Sequence, residues 1–147
     1  MKSSLQFKIL ATAFLLSLSS FGAKAADQAA SATERERVVF QVSDSVPGKW
    51  NLTLSNASNL QDLVGKDKVD IEIVAYGPGI DMLRLESEVG DKIDKAIASG
   101  VKIVACQNTM KAKKLTKDDM LPSISYVPGG VQEIIQKEMA GWSYVRP

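Results

Sequence analysis

The sequence predicts an α/β domain on a mainly parallel sheet covered on both faces. Short apolar runs rich in β-branched residues alternate with segments of helical period, and only a few turn residues join each to the next. That alternation indicates βαβ crossovers, whose helices cover both sides of a parallel sheet.

The elements follow in order. Lys2 and Lys8 precede an apolar core from Ile9 to Leu18, and Ala23-Lys24-Ala25 follows. Small residues three before and one before a cut suit a signal peptidase, so residues 1–25 are expected to be a signal peptide cleaved after Ala25 and the mature protein to be periplasmic. The apolar run is shorter than the about 20 residues a membrane span needs, so no membrane attachment is expected after cleavage. Residues 26–36 (ADQAASATERE) are small and polar without an apolar period and read as a flexible leader. Residues 37–147 are left for a single domain.

Val38 to Val42 reads as the first buried strand, closed by Ser43-Asp44, and Pro47-Gly48 breaks the chain. Trp50, Leu54, Ala57 and Val64 fall on one helical stripe, with Leu52, Asn56, Asn59 and Leu63 beside it, and Gly65 ends that helix. Val69 to Ala75 is the second strand, stopped by Tyr76-Gly77-Pro78-Gly79. Met82, Leu83 and Leu85 suggest a short helix broken by Gly90, and Ile93, Ala96 and Ile97 mark another that ends at Gly100. Val101 to Ala105 is the third strand, followed directly by Cys106. Asn108 or Thr109 is placed to cap a helix through Met110 to Lys114. Thr116 to Asp119 resembles a capped single turn. Ile124 to Val127 is the fourth strand, broken by Pro128-Gly129-Gly130. Val131, Ile134, Ile135 and Met139 form the apolar face of a last helix, and Trp142 to Val145 reads as a short edge strand.

Composition excludes several chemistries. The chain has no histidine and one cysteine, which rules out a Ser-His-Asp triad, a Cys-His pair and the usual zinc sites, as well as an internal disulfide. No metal or cofactor is expected. Of 18 basic and 17 acidic side chains, Lys2, Lys8 and Lys24 leave with the signal peptide. The mature balance is 15 to 17, which gives no reason to expect a nucleic-acid partner.

In a parallel sheet the ligand crevice lies beyond the carboxyl ends of the strands. Ser43-Asp44, Tyr76 to Gly79, Cys106 to Thr109 and Pro128 to Gly130 all map to that edge. Cys106 lies where a strand ends and a helix starts, and the helix N-terminus favours the reactive thiolate. A small core hydrophobe is the other reading of a cysteine in that place. Gly77-Pro78-Gly79 and Gly129-Gly130 are candidates to line the crevice and hold an anion on backbone N–H groups, or are plain turns. Asn56 and Asn59 either brace the crevice from below or sit exposed at the edge of their stripe. Lys111, Lys113, Lys114 and Lys117 form a basic cluster that either draws in an anion or acidic partner or is a solvated helix face.

Taken together, Gly100 to Cys106, Asn108-Thr109-Met110, Leu121-Pro122, Val127 to Val131 and Gly141-Trp142-Ser143-Tyr144 resemble the DsrE/DsrF-like family of sulfur-relay proteins; Tyr76 to Gly79 and the Asn56–Asn59 helix fit the same pattern. The likeness runs over roughly residues 37–147 and is closest to an exported branch. It implies a three-layer α/β/α fold with a mainly parallel sheet of about five strands, in the flavodoxin-like topology class, and a homo-oligomer. It also implies a cysteine that carries sulfur as a persulfide, and Cys106 matches that place. The expected partners are a small sulfur-containing donor and a thiol acceptor protein, with Asn108, Thr109 and backbone amides steadying the anion. A non-catalytic binding or assembly module with a buried, inert Cys106 is the alternative. Trp142 and Tyr144 are expected to pack in the core.

Overall fold

A computed structural model describes residues 35–147. The expected signal peptide and most of the expected leader lie outside the described residues. Within them, five strands form one sheet in the order β4-β3-β2-β1-β5, with every neighbouring pair parallel. The strands are β1 (Glu36–Val42), β2 (Val69–Ala75), β3 (Lys102–Cys106), β4 (Ser125–Val127) and β5 (Ser143–Val145). The helices are α1 (Pro47–Val64), α2 (Gly90–Ala98), α3 (Gln107–Lys113) and α4 (Gly130–Met139).

The strand order fixes which face each helix covers. Parallel crossovers are right-handed, so three successive steps in one direction, from β1 to β4, put α1, α2 and α3 on the same face. The return from β4 across the sheet to β5 puts α4 on the other. The two apolar cores follow this division. On the first face Phe40, Ile73 and Ile103 pack with Leu54, Met82, Ile93 and Met110. On the second, Val39, Val74, Val104 and Val127 pack under Ile134, with Tyr76 and Trp142 at the margin.

Several boundaries differ from the sequence reading, each for a local reason. β1 begins at Glu36, inside the expected leader, because Glu36 and Arg37 find ladder partners in Val69 and Asp70. α1 begins at Pro47, not Trp50; a proline in the first turn gives up an N–H that has no helical partner there. Its sheet-facing side is Trp50, Thr53, Leu54, Ala57 and Gln61, while Leu52 and Leu63 face outward. Gln61 is buried with both ends of its amide on Ser99: Nε2 donates to the Ser99 carbonyl, and Oε1 lies within hydrogen-bond distance of the Ser99 hydroxyl, both at 2.9 Å; that hydroxyl also reaches the Ala96 carbonyl at 2.7 Å. The helix expected around Met82 is a 3₁₀ segment, Gly77–Leu83, that buries Ile80, Met82 and Leu83. Gly90 opens α2 where a break was expected. On α4 only Ile134 of the predicted apolar face is buried; Val131, Ile135 and Met139 are 54%, 50% and 83% exposed. The side of α4 turned to the sheet carries Gly130 and Ile134 together with Glu133 and Lys137, which pair with a buried carboxylate on β2, so the rest of the apolar stripe is rotated outward.

One feature of the second face has no counterpart in the sequence reading. Glu72, in the middle of β2, is 0% exposed. Its Oε2 takes the Lys137 ammonium at 2.7 Å and that of Lys102 at 3.0 Å. Burial alone would push this carboxyl up, but the hydrogen bonds of Lys137, Lys102 and Glu133 outweigh it and hold it below the usual carboxylate range. Glu133 moves the opposite way, raised first by its own burial and then by Glu72. Lys137 also lies over the Trp142 ring, 4.2 Å from its centre, so one lysine links the buried carboxylate to the aromatic edge of the core.

Candidate functional site

The carboxyl ends of the strands gather the four turns that the sequence placed there, and backbone bonds tie them together. The Tyr76 N–H donates to the Val42 carbonyl at 3.1 Å, and the Asn108 N–H to the Pro128 carbonyl at 3.2 Å. The Gly77 N–H donates to Thr109 Oγ1 at 2.9 Å, joining the turn after β2 to the first turn of α3. Gly79 is a true close-approach glycine: a Cβ there would stand 2.4 Å from the Val42 carbonyl oxygen.

Chain leaving β3 goes to the first face and chain leaving β4 to the second. Divergence of adjacent connections marks the switch point at which sheets of this kind bind ligands, and Cys106 and Gly129-Gly130 flank it. Cys106 is the last residue of β3, in register with Val127, and the N-cap of α3. Alternation along β3 puts its side chain on the second face with Val104. It is 4% exposed.

Its surroundings favour the ionised sulfur. The thiol makes no capping hydrogen bond; the polar groups around it set its ionisation. Burial alone would raise the thiol; the Thr109 hydroxyl and the backbone N–H groups of Gly130, Thr109 and Asn108 outweigh it and hold the thiol below its ordinary range. Thr109 is suited to this by its other bond. Its oxygen accepts from Gly77, which leaves the hydroxyl proton free to point at sulfur.

The other predicted site residues divide. Asn108 and Thr109 occupy the first turn of α3, because Cys106 itself is the cap. Gly129 caps α4 and lies against the Asn108 amide, and Gly130 opens the helix with Tyr76 packed on it: a Cβ at Gly130 would be 2.8 Å from that of Tyr76. Gly77, Pro78 and Gly79 lie beside Thr109, but the N–H of Gly77 is taken by Thr109 and that of Gly79 by the Tyr76 carbonyl, so neither is free to hold an anion. Asn56 and Asn59 are well away from the helix start that borders the crevice, nine and twelve residues after Pro47, or about 14 and 18 Å along the axis; Asn59 is exposed. Of the basic cluster, Lys113 pairs with Asp81 at 2.8 Å and Lys117 stands 4.9 Å from the Tyr126 ring centre.

At this edge Ser43, Asp44 and Tyr76, which the sequence places there, are joined by Gln41, Tyr144 and Arg146, which it does not. Gln41, Ser43, Asp44, Tyr76, Tyr144 and Arg146 come together from β1, β2 and β5. Gln41 Nε2 donates to Ser43 Oγ at 3.0 Å, and the Tyr144 hydroxyl donates to Gln41 Oε1. Asp44 Oδ2 meets Lys49 at 3.0 Å and Arg146 at 3.4 Å; Lys49, with Arg146 behind it, holds that carboxyl below its usual range. Tyr76 lies between this group and Cys106. Its phenol is raised first by burial, then by Tyr144, Asp44 and Cys106, with Arg146 opposing. Tyr144 and Arg146 lie about a hundred positions from Gln41 and Asp44, and the pairing of β5 with β1 brings them together.

Among the described residues there is no cluster of acidic or cysteine side chains able to hold a metal ion, and no helix long and apolar enough to cross a membrane.

Comparison with known proteins places this architecture. The DsrE/DsrF-like family model matches residues 19–147. The chain belongs to the DsrE/DsrF-like family. Among solved structures, it is similar to the protein of unknown function MTH1491 from Methanobacterium thermoautotrophicum, with 35% identity over 76% of this chain and 99% of that one and a TM-score of 0.73. The conserved protein of unknown function BT1422 from Bacteroides thetaiotaomicron shares the DsrE-like fold at 17% identity, with 76% and 95% of the two chains covered and a TM-score of 0.64. A comparison with curated proteins gives no match. The three-layer α/β/α fold and its five-stranded parallel sheet are therefore those expected from the sequence.

Proposed function

We propose that this DsrE-like protein is a periplasmic carrier that accepts sulfane sulfur on Cys106 and passes it to an acceptor thiol. One observation carries the reading: Cys106 is the N-cap of α3 and stands in register with Val127, just before the Pro128-Gly129-Gly130 turn that opens α4, so its sulfur sits between two helix starts, where Thr109, Gly130 and Asn108 favour its ionised form. A buried thiol serving only as core filler gains nothing from such donors, whereas a thiolate or persulfide anion is stabilised by each of them.

In the proposed step the Cys106 thiolate attacks the outer sulfur of a persulfide or thiosulfate. The donor's S–S bond breaks, a thiolate or sulfite leaves with the bonding pair, and the new S–S bond is to Cys106. Attack by an acceptor thiolate on that outer sulfur returns the Cys106 thiolate. The test is intact mass after incubation with a sulfane donor: about 32 Da should be added on Cys106, on the chemistry of reversible cysteine capping. A Cys106→Ser chain that gains the same mass refutes the reading.

The 4% exposure of Cys106 favours a second reading, a binding or assembly module with an inert thiol. Reaction with a maleimide only after denaturation decides for it. A homo-oligomer is part of the proposal, since Val131, Ile135 and Met139 leave an apolar stripe on α4 open; a monomer in sedimentation at micromolar concentration removes that part. Export is tested by fractionating cells that express the full chain.

A further inference from the structure

We infer that the sulfur donor is a small anion whose charged group is held by the Arg146 guanidinium beside the Tyr76 hydroxyl, with its sulfane end directed at Cys106. The inference rests on the carrier reading above and adds the substrate's charge and the residue that recognises it.

Placement comes first. β5 pairs in parallel with β1, Val39 opposite Tyr144 and Phe40 opposite Val145. Continuing that register sets Arg146 level with Gln41, on the same face as Tyr76 and Cys106. All of these stand at the carboxyl end of that face, in the order Arg146, Gln41, Tyr76, Cys106 across neighbouring strands. Arg146 reaches Asp44, which follows β1, so its guanidinium lies over the end of β1. From β1 to β3 is two strand spacings, about 10 Å. A hydrogen bond at one end, an oxyanion of a few bonds and a sulfur contact at the other cover that span.

Availability comes second. Arg146 is half-exposed, and of its five N–H donors one makes a long 3.4 Å contact with Asp44. Asp44 does not depend on it, because Lys49 holds the same oxygen at 3.0 Å. The guanidinium can therefore turn to an incoming anion without leaving a carboxylate unpaired. The Tyr76 hydroxyl, between Arg146 and the sulfur, makes no hydrogen bond with the described residues. The local sum of Lys49, Asp44 and Arg146 is one positive charge, beside a thiol that must also be approached by a negatively charged reactant. A guanidinium held by Asp44 only at 3.4 Å offsets that repulsion and orients a carboxylate or sulfonate in two-point fashion.

The experiment compares an anionic and a neutral reagent on the full chain. Rates of Cys106 alkylation by iodoacetate and iodoacetamide give a ratio that cancels changes in thiol reactivity common to both. Arg146→Gln should lower that ratio about tenfold and Arg146→Lys less, while Lys111→Gln should leave it within twofold. Sulfur loading followed by mass then separates the sources of the anion: with thiosulfate and with cysteine persulfide as donors, the one whose half-saturating concentration rises about tenfold in Arg146→Gln is the donor that Arg146 recognises. An unchanged ratio in Arg146→Gln, or an equal fall in Lys111→Gln, overturns the subsite. Loading of the natural chain together with an unchanged ratio removes the subsite and leaves the carrier; failure of the natural chain to load with either donor removes the carrier itself.

Discussion

Replacing Thr109 by valine keeps the side chain's shape and deletes one oxygen that serves two neighbours. The Gly77 N–H, 2.9 Å from that oxygen, loses its acceptor in a half-buried turn, and leaving such a donor unpaired costs about 1–3 kcal/mol of folding stability. The sulfur loses the hydroxyl that most favours its ionised form. A hydrogen bond to a charged group contributes about 1.5 kcal/mol at the low end of the usual range, which is about tenfold in thiolate population below the thiol's titration. The assay is the iodoacetamide rate of Cys106 against pH. At neutral pH Thr109→Val should react about tenfold more slowly, its profile displaced to higher pH, while the plateau at high pH stays close to that of the natural chain. Thr109→Ser, which keeps the hydroxyl, should restore the profile. Stability has its own signature. A thiol whose folded pKa is lowered stabilises the fold above the unfolded thiol's range and loses that contribution as pH falls through the folded value, so the natural chain should gain stability between neutral and alkaline pH and Thr109→Val should gain less. Superimposable profiles for the natural chain and Thr109→Val would refute the assignment of the hydroxyl to the sulfur.

Three further outcomes are expected. Gly79→Ala forces a methyl to 2.4 Å from the Val42 carbonyl oxygen, a backbone clash that should cost about 3 kcal/mol or more and be read as a fall in urea midpoint; an unchanged midpoint shows that the turn is free to shift. Glu72→Gln leaves the partly buried Lys137 with only the more distant Glu133 carboxylate at 3.7 Å, which should cost about 3 kcal/mol, the low end for breaking a buried pair. Because the Glu72 carboxyl is held low, its contribution is present above the usual carboxylate range and lost as pH falls through the folded value, so the variant's stability should also depend less on pH on the acid side. Gly130→Ala pushes the Tyr76 ring or the start of α4, and Cys106 alkylation at neutral pH should change by severalfold with helix content preserved; an unaltered rate separates the start of α4 from the thiol.

What the sequence made legible depended on how local the cause was. β2 is predicted to the residue, because VDIEIVA is an uninterrupted run bounded by Lys68 and Tyr76. Cys106 at the strand end follows from VKIVA meeting a polar QNT. The proline at position 47 was available as a helix-start signal, yet it reads equally as a breaker until the strand before it is placed. The 3₁₀ segment was misread because Gly77-Pro78-Gly79 has the composition of a turn, and its burial depends on β1 passing 2.4 Å from where a side chain would begin. Glu72 illustrates the limit. Inside an apolar strand it looks like an outward-facing residue, and its partners Lys102, Glu133 and Lys137 lie 30 to 65 positions further on, at spacings set only by strand order. The group around Arg146 was hidden for the same reason, since no local pattern announces that the last strand lies beside the first.

That adjacency bears on how the molecule acquires its shape. Val38 meets Ser143 across more than a hundred intervening residues, a pairing of very high contact order whose loop must be closed before the contact returns any free energy. While the chain is being made, β1 has β2 on one side and an unfilled edge on the other. The sheet can be completed only after the final residues emerge, so the first strand keeps one open edge until synthesis ends.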